Sequence, residues 1–329
     1  MTPTEVATSL LAHIGKPAPQ CVLALPGGRN NRVWRVDCTT EAFLLKSYFW
    51  SESDPRDRLG QEWAFLDFLQ SIGFLKAPAP LAKDAPSRFA LLEFIDGDPP
   101  QEITEYDILD AARFLAEMYS QRELGKNLPP VSEACFSIQE HLGSVSKRVE
   151  RLNQIQPDSE AHFEAIRFIE SALRPLWTEI CALIEKKPSS DRQSRLPFSE
   201  RCLSPSDFGF HNALRQSDGS LRYVDFEYAG WDDPAKTLID FTNQPDRVLS
   251  HNLAALFLEK TSSLFPNPDF LHQRVTLLTP LYQLKWACIC LNAFFPNRPL
   301  DPSRPLASQL ARANVMISRA ITEIAKTPH

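Results

Sequence analysis

Apolar positions in the first hundred residues fall into short runs of strand length. Arg32 to Asp37 and Ala42 to Tyr48 are β-prone and are joined by the polar stretch CTTE, which predicts a hairpin. Ahead of them, MTPTEVATSLLAHIGK reads as a short amphipathic helix. DRLGQEWAFLDFLQSIG sets Leu59, Trp63, Leu66 and Leu69 at helical spacing, with Gly73 as the stop. APAPLAKDAP reads as a proline-rich connector, and RFALLEFIDG as a buried strand ending in a turn. Beyond Gly97 the period becomes helical. Ile103 to Arg122, Ile138 to Gln156, Ser159 to Lys187 and much of Asn252 to Ala325 carry it, with PNRPLDPSRP as a loop inside the last. KKPSSDRQSRLP is a polar loop, and no internal repeat is present. The pattern predicts an α+β chain with a small β-rich part, residues 1–97, before a larger, mainly helical one, residues 98–329.

Composition narrows the class. With 43% hydrophobic and 23% charged residues the chain is of ordinary globular make-up, and 329 residues suffice for an ample core. A net charge of -6 gives no general attraction for nucleic acid. No uncharged apolar run approaches the roughly 20 residues that span a bilayer, so no membrane partner is expected. The first residues lack the basic region of a signal peptide. Cys21, Cys38, Cys135, Cys181, Cys202, Cys288 and Cys290 are scattered, without zinc or redox spacing. Together these predict a cytoplasmic protein with reduced thiols in its core.

The densest chemistry lies in LSPSDFGFHNALRQSDGSLRYVDFEYAGWDDP, Leu203 to Pro234. Asp218-Gly219 is a strong hairpin turn, flanked by the β-compatible runs ALRQ and LRYV. A symmetric turn there pairs residues whose numbers sum to 437, which sets Asn212 opposite Asp225. Cross-strand side chains then lie roughly 5 Å apart, and an amide oxygen beside a carboxylate suits a hard divalent cation such as Mg²⁺. Asp207 lies five residues ahead of Asn212, on the lead-in loop. The competing reading is a surface hairpin whose polar residues only cap turns, reached by a one-residue slip in register.

D-F-G-F-H-N, followed by D-F-E, resembles the catalytic loop and metal-binding motif of kinase-fold enzymes. The D-x-E form, with EYAGWDDP behind it, is similar to the aminoglycoside phosphotransferase and choline kinase superfamily. LPGGRNNRVWRV, FLLKSY, GQEWAFLDFL and LLEFIDG follow in that family's order. The resemblance, over about residues 20 to 245, implies a bilobal protein-kinase-like fold that uses ATP and Mg²⁺. It implies that Gly27 and Gly28 let backbone approach phosphate, with Asn30 and Asn31 at the loop tip. Lys46 would contact the α- and β-phosphates and Glu62 would fix it by an ion pair. Glu93, Phe94 and Ile95 would form the hinge that holds adenine. Asn212 and Asp225 would hold Mg²⁺, and Asp207 would orient the attacking hydroxyl. Glu227 would touch the metal or brace the loop, both readings staying open, and Asp240 would orient the catalytic loop.

The chain also departs from the family. Pro205, in S-P-S-D, replaces the histidine usual two residues before the catalytic aspartate, and Ser204 or Ser206 is expected to take over its hydrogen bonds. His211 falls where relatives have glycine; it faces substrate or simply packs. Tyr282, Lys285 and Trp286 lie where the resemblance puts the acceptor, with aromatic core packing and a snorkelling lysine as the plainer reading. From Ser250 to His329, 8 Lys/Arg against 4 Asp/Glu leave +4, which disfavours polycationic aminoglycosides. The expected partner is therefore a small molecule with a hydroxyl group, a sugar or related metabolite. The alternative acceptors are choline or another amino alcohol, held by Trp231, Tyr282 and Trp286, and an aminoglycoside. The alternative to an enzyme is a pseudokinase-like nucleotide-binding protein. Neither the oligomeric state nor the choice of ATP over GTP is written in the sequence.

Overall fold

The computed structural model describes residues 1–26, 31–52, 54–296 and 304–326. In chain order its elements begin with α1 (Pro3–His13), β1 (Cys21–Ala24), β2 (Arg32–Asp37), β3 (Ala42–Ser47), α2 (Arg58–Ser71), β4 (Pro80–Asp84), β5 (Phe89–Glu93) and α3 (Glu105–Ser120). Then come α4 (Ile138–Arg151), α5 (Glu160–Phe168), α6 (Arg174–Glu185), α7 (Ser189–Gln193), β6 (Cys202–Ser204), β7 (Ala213–Arg215), β8 (Leu221–Tyr223) and β9 (Gly230–Asp232). Four helices close the chain: α8 (Pro234–Thr242), α9 (His251–Ser262), α10 (Pro268–Leu291) and α11 (Leu306–Lys326). The chain forms two compact units, Met1–Ser132 with Leu203–Trp231, and Glu133–Cys202 with Asp232–His329.

The first unit is built on an antiparallel sheet in the order β1-β2-β3-β5-β4. The predicted hairpin of β2 and β3 forms, with Arg32 opposite Ser47. The capping box of Thr2 and Glu5 starts α1. That helix buries Val6, Ala7, Leu10 and Leu11 on Val36, Phe43, Leu45 and Leu91, each Val, Leu or Phe side chain contributing about 1.5–3 kcal/mol. The connector APAPLAKDAP departs from expectation, because it contains β4. Pro80 opens that edge strand and a bulge follows between Pro80 and Ala82, which is how a strand tolerates a residue without an N–H donor.

The hairpin of β7 and β8 pairs Ala213 with Tyr223 and Arg215 with Leu221. The register is thus one residue away from the symmetric expectation, and Asn212 faces Val224, whose N–H donates to its carbonyl. The cause is the turn. The Gly219 N–H bonds the Gln216 carbonyl and Gly219 sits at φ +85°, so three residues rather than two make the loop.

The second unit is helical, with α8 entirely buried and α11 packed along α10. The polar stretch KKPSSDRQSRLP contains the short helix α7 rather than loop alone. Most of PNRPLDPSRP lies outside the described residues. The seven cysteines are free, and Cys21 is exposed on β1 rather than buried. Among the described residues no helix is long and apolar enough to cross a membrane.

Candidate active site

The aspartates are mounted by the aromatic residues that follow them. Phe208 and Phe226 are buried beside Asp207 and Asp225. Phe208 stacks on Phe114 of α3 at 5.0 Å, and Phe226 stacks on Phe65 of α2 at 5.5 Å. Tyr223 meets both Phe114, at 4.6 Å, and Phe208, at 5.0 Å. One aromatic block therefore carries both acidic loops. Each ring pair adds about 0.5–1.5 kcal/mol beyond its burial.

Asp225 has φ +69°, a conformation that aspartate tolerates better than most residues. The backbone leaves the ladder there and the carboxylate reaches Lys46 at 2.6 Å. Lys46, on β3, also lies 2.6 Å from Glu62 of α2. The second Glu62 oxygen accepts from the Phe226 N–H at 3.0 Å. Glu62 thereby ties β3, α2 and the D-F-E loop into one unit, although helical periodicity would assign that position no special role. Burial alone would depress the Lys46 pKa, but Asp225 and Glu62 more than offset it and hold the ammonium above its ordinary value.

Asp207 is two-fifths exposed, with His211 Nε2 3.1 Å from its Oδ1. Sequence reasoning did not assign His211 to this contact; the i,i+4 spacing was the available signal. The Asp207 backbone oxygen accepts from Asn212 Nδ2 at 2.9 Å, which leaves the amide oxygen of Asn212 as a hard acceptor. The lead-in turn puts Ser206 at φ +67°, and its N–H bonds Ser204 Oγ at 3.0 Å. Ser204 thus supplies a brace in a loop that lacks the expected histidine.

Asn31 is not displayed at a loop tip. It is buried, donates to the Glu227 carboxylate, and accepts from the Phe49 N–H at 3.0 Å. Glu227 also lies 3.6 Å from Arg58 Nε, so its described contacts are those of a brace. Burial first, then the Asp225 charge, pushes the Glu227 pKa up. Arg58 was not singled out by sequence, yet it is almost wholly buried between Asp54, Glu227 and the Phe49 carbonyl. Gly27, Gly28 and Asn30 lie outside the described residues. Glu93 is still in β5, its carboxylate held by Arg222 and the Ala79 N–H, while Phe94 and Ile95 follow the strand's last pair.

The donor set fits Mg²⁺. Asp225 keeps 38% of its side chain exposed and Asn212 offers an amide oxygen, and Mg²⁺ takes one or two protein oxygens with the rest from water and phosphate. Among the described residues no group of three or more His, Cys, Asp or Glu side chains could hold a metal.

In the second unit, Lys285 is buried against Asp240 at 2.6 and 2.9 Å and does not snorkel. Trp286 Nε1 donates to the same carboxylate at 3.0 Å, so the described side-chain partners of Asp240 are Lys285 and Trp286 rather than catalytic-loop groups. The Lys285 ammonium sits over the Tyr282 and Trp286 rings at 4.3 and 5.0 Å. Trp231 is buried and donates to the Gly125 carbonyl.

Comparison with known proteins agrees with this fold. The profile of a phosphotransferase enzyme family matches residues 22–260. Spectinomycin phosphotransferase APH(9)-Ia, solved with ADP and spectinomycin, superposes with a TM-score of 0.68 at 12% identity, over 97% of this chain and 98% of that one. Choline kinase LicA from Streptococcus pneumoniae gives 0.61 at 16% identity, over 96% and 98%. A choline kinase from Cryptosporidium parvum gives 0.56 at 14% identity, over 93% and 89%. No curated protein sequence matches the chain. The α+β architecture is that of these kinase-like enzymes, and the chain belongs to the phosphotransferase enzyme family.

Proposed function

We propose that this phosphotransferase moves the γ-phosphoryl group of ATP to a hydroxyl group of a small molecule, a sugar or related metabolite. The observation that carries the reading is the Lys46–Glu62–Asp225 cluster, with Lys46 and Glu62 buried and Asp225 partly exposed, fixed to the same aromatic block as Asp207. Phosphoryl transfer needs alignment and charge neutralisation more than covalent chemistry. Lys46 neutralises phosphate charge, and Glu62 holds it in place. Phe94 and Ile95 offer backbone groups to the base, with residues 1–97 as the nucleotide lobe. Asn212 and Asp225 would hold Mg²⁺, which supplies charge neutralisation at the phosphate oxygens. Asp207 accepts the proton of the incoming hydroxyl, and His211 fixes the carboxylate's orientation.

The acceptor class rests on electrostatics. Buried Asp232, Asp233 and Asp240 of the second unit pair with Lys236, Arg274 and Lys285. Their charge is spent internally, which removes the acidic field that a polycationic aminoglycoside requires. Lys285 likewise occupies two of the three rings a choline cage would use.

The test is ADP formation with Mg²⁺ and ATP across sugars, amino alcohols and aminoglycosides, with Asp207→Asn alongside. A sugar should support turnover that the variant loses by about 10²–10⁴-fold, with nucleotide affinity retained. Turnover on aminoglycosides alone would overturn the acceptor assignment. Nucleotide binding with no turnover on any acceptor, including a metabolite extract, would favour the non-catalytic reading.

A further inference from the structure

Beside the Lys46 cluster, Asn31, Glu227, Arg58 and Phe49 close a ring of polar contacts. Asn31 Nδ2 donates to a Glu227 carboxylate oxygen. The same oxygen lies at ion-pair distance, 3.6 Å, from Arg58 Nε. Arg58 Nη1 donates to the Phe49 carbonyl at 3.0 Å, and the Phe49 N–H donates to Asn31 Oδ1 at 3.0 Å. Both ends of the Asn31 amide are therefore engaged inside the ring. Asn31 stands one residue beyond the last pair of β2 with β3, Arg32 with Ser47. Its side chain continues the tie between these strands where the ladder ends.

The ring joins the same elements as the Lys46–Glu62–Asp225 cluster, a short step along each. Phe49 lies three residues past Lys46, on the chain leaving β3. Arg58 lies four residues before Glu62, about one turn away on α2. Glu227 lies two residues past Asp225. Two layers of contacts thus pin the D-F-E loop to β3 and α2. They differ in access. Asp225 keeps 38% of its side chain exposed, while Glu227 keeps 6% and Arg58 1%. Mg²⁺ gives up its waters reluctantly, so it suits the open carboxylate. The sealed one is already matched by Arg58 and Asn31.

We infer that Glu227, Asn31 and Arg58 are positioning residues, and that Glu227 serves the metal from outside its ligand set. The ring fixes the backbone of the D-F-E loop and with it the aim of Asp225. This role rests on the phosphotransfer reading, in which Asp225 is a metal ligand.

Mn²⁺ with ADP is the probe, and binding is the readout. The ADP affinity of the full chain is measured with and without Mn²⁺, and the ratio gives the metal's contribution. Asp225→Asn sets the ratio for a lost ligand. Asn31→Ala should cut the ratio about tenfold, because Asp225 loses its fixed aim. A ligating Glu227 predicts the opposite sign, since removing the Asn31 amide frees that carboxylate for the metal. Glu227→Gln keeps the shape and an oxygen for Asn31 Nδ2. It should hold the ratio within about threefold of the parent, and it decides the matter even if Asn31→Ala folds poorly. The inference fails if Glu227→Gln lowers the ratio as far as Asp225→Asn does. It fails equally if Asn31→Ala raises the ratio, or lowers the melting temperature and leaves the ratio alone, since the ring would then be structural only. A parent that binds no ADP, or binds it equally with and without Mn²⁺, would instead bring down the phosphotransfer reading, and this role with it.

Discussion

Glu62 has two fixed bonds, one to a cation and one to a backbone donor, and both need its two oxygens. Glu62→Gln keeps the shape and removes the charge. Lys46 would then rely on Asp225, the proposed metal ligand, and the two tasks of that carboxylate would conflict. Turnover should fall about 10²–10³-fold, and the melting temperature should drop as well, because a buried pair loses one charge. Steady-state rates at saturating nucleotide, beside a thermal melt, check this; an unchanged rate would show that the pair is only structural. Lys46 and Glu62 were legible because a lysine on a strand and a glutamate on the next helix occur in family order. Arg58 and the Asn31–Glu227 bond were not, because each joins residues far apart in sequence whose types recur on any surface.

At the scale of elements, glycine positions separate two kinds of constraint. A Cβ on Gly230, in β9, would lie 2.2 Å from the Pro129 carbonyl oxygen, a backbone atom that cannot swing aside. Gly230→Ala should cost roughly 3 kcal/mol. A Cβ on Gly143, inside α4, meets nothing within 4 Å. Gly143→Ala should stabilise by about 0.8–1 kcal/mol through helix propensity alone. Urea titration of the two variants against the parent measures both. Equal shifts would refute the steric account. The same scale explains what periodicity reads and what it omits. Short β-prone or apolar runs located β2, β3 and β5, and Leu59, Leu66 and Leu69 located α2. The register of β7 on β8 depended on the backbone of Gly219, which no pattern of side chains records.

The fold class of the whole molecule was readable because helical and strand periods occupy different stretches of the chain. Its buried polar networks were not, since they join distant positions. His141 shows this: its ring nitrogens meet Tyr282 at 2.6 Å and Asp233 at 2.8 Å, and Arg274 shares Asp233. Burial pushes the His141 pKa down, against the pull of Asp233 and with the repulsion of Arg274 and Lys236. Its folded pKa lies below its unfolded one, so the unfolded chain binds the extra proton below about pH 6.5. Stability from this group is full above that pH and is lost as pH falls. Asp232, pushed up to about 6 by burial, acts in the opposite sense across the same range. The expected result is therefore differential. The stability gap between the parent and His141→Gln should shrink from pH 7 to pH 5, by up to about 1.4 kcal/mol per pH unit. Urea midpoints at each pH give the gap; a gap independent of pH would mean that His141 titrates alike in the folded and unfolded chain, and one that widens as pH falls would mean that it is charged in the fold.

The aromatic block has a bearing on how such chains are found and how they diverge. Phe208 and Phe226 seat the two acidic loops on Phe114 and Phe65, and the residues leading into Asp207 add the Ser204 brace. A search pattern that demands the histidine would pass over this protein, whereas one that demands a large ring after each aspartate would retain it.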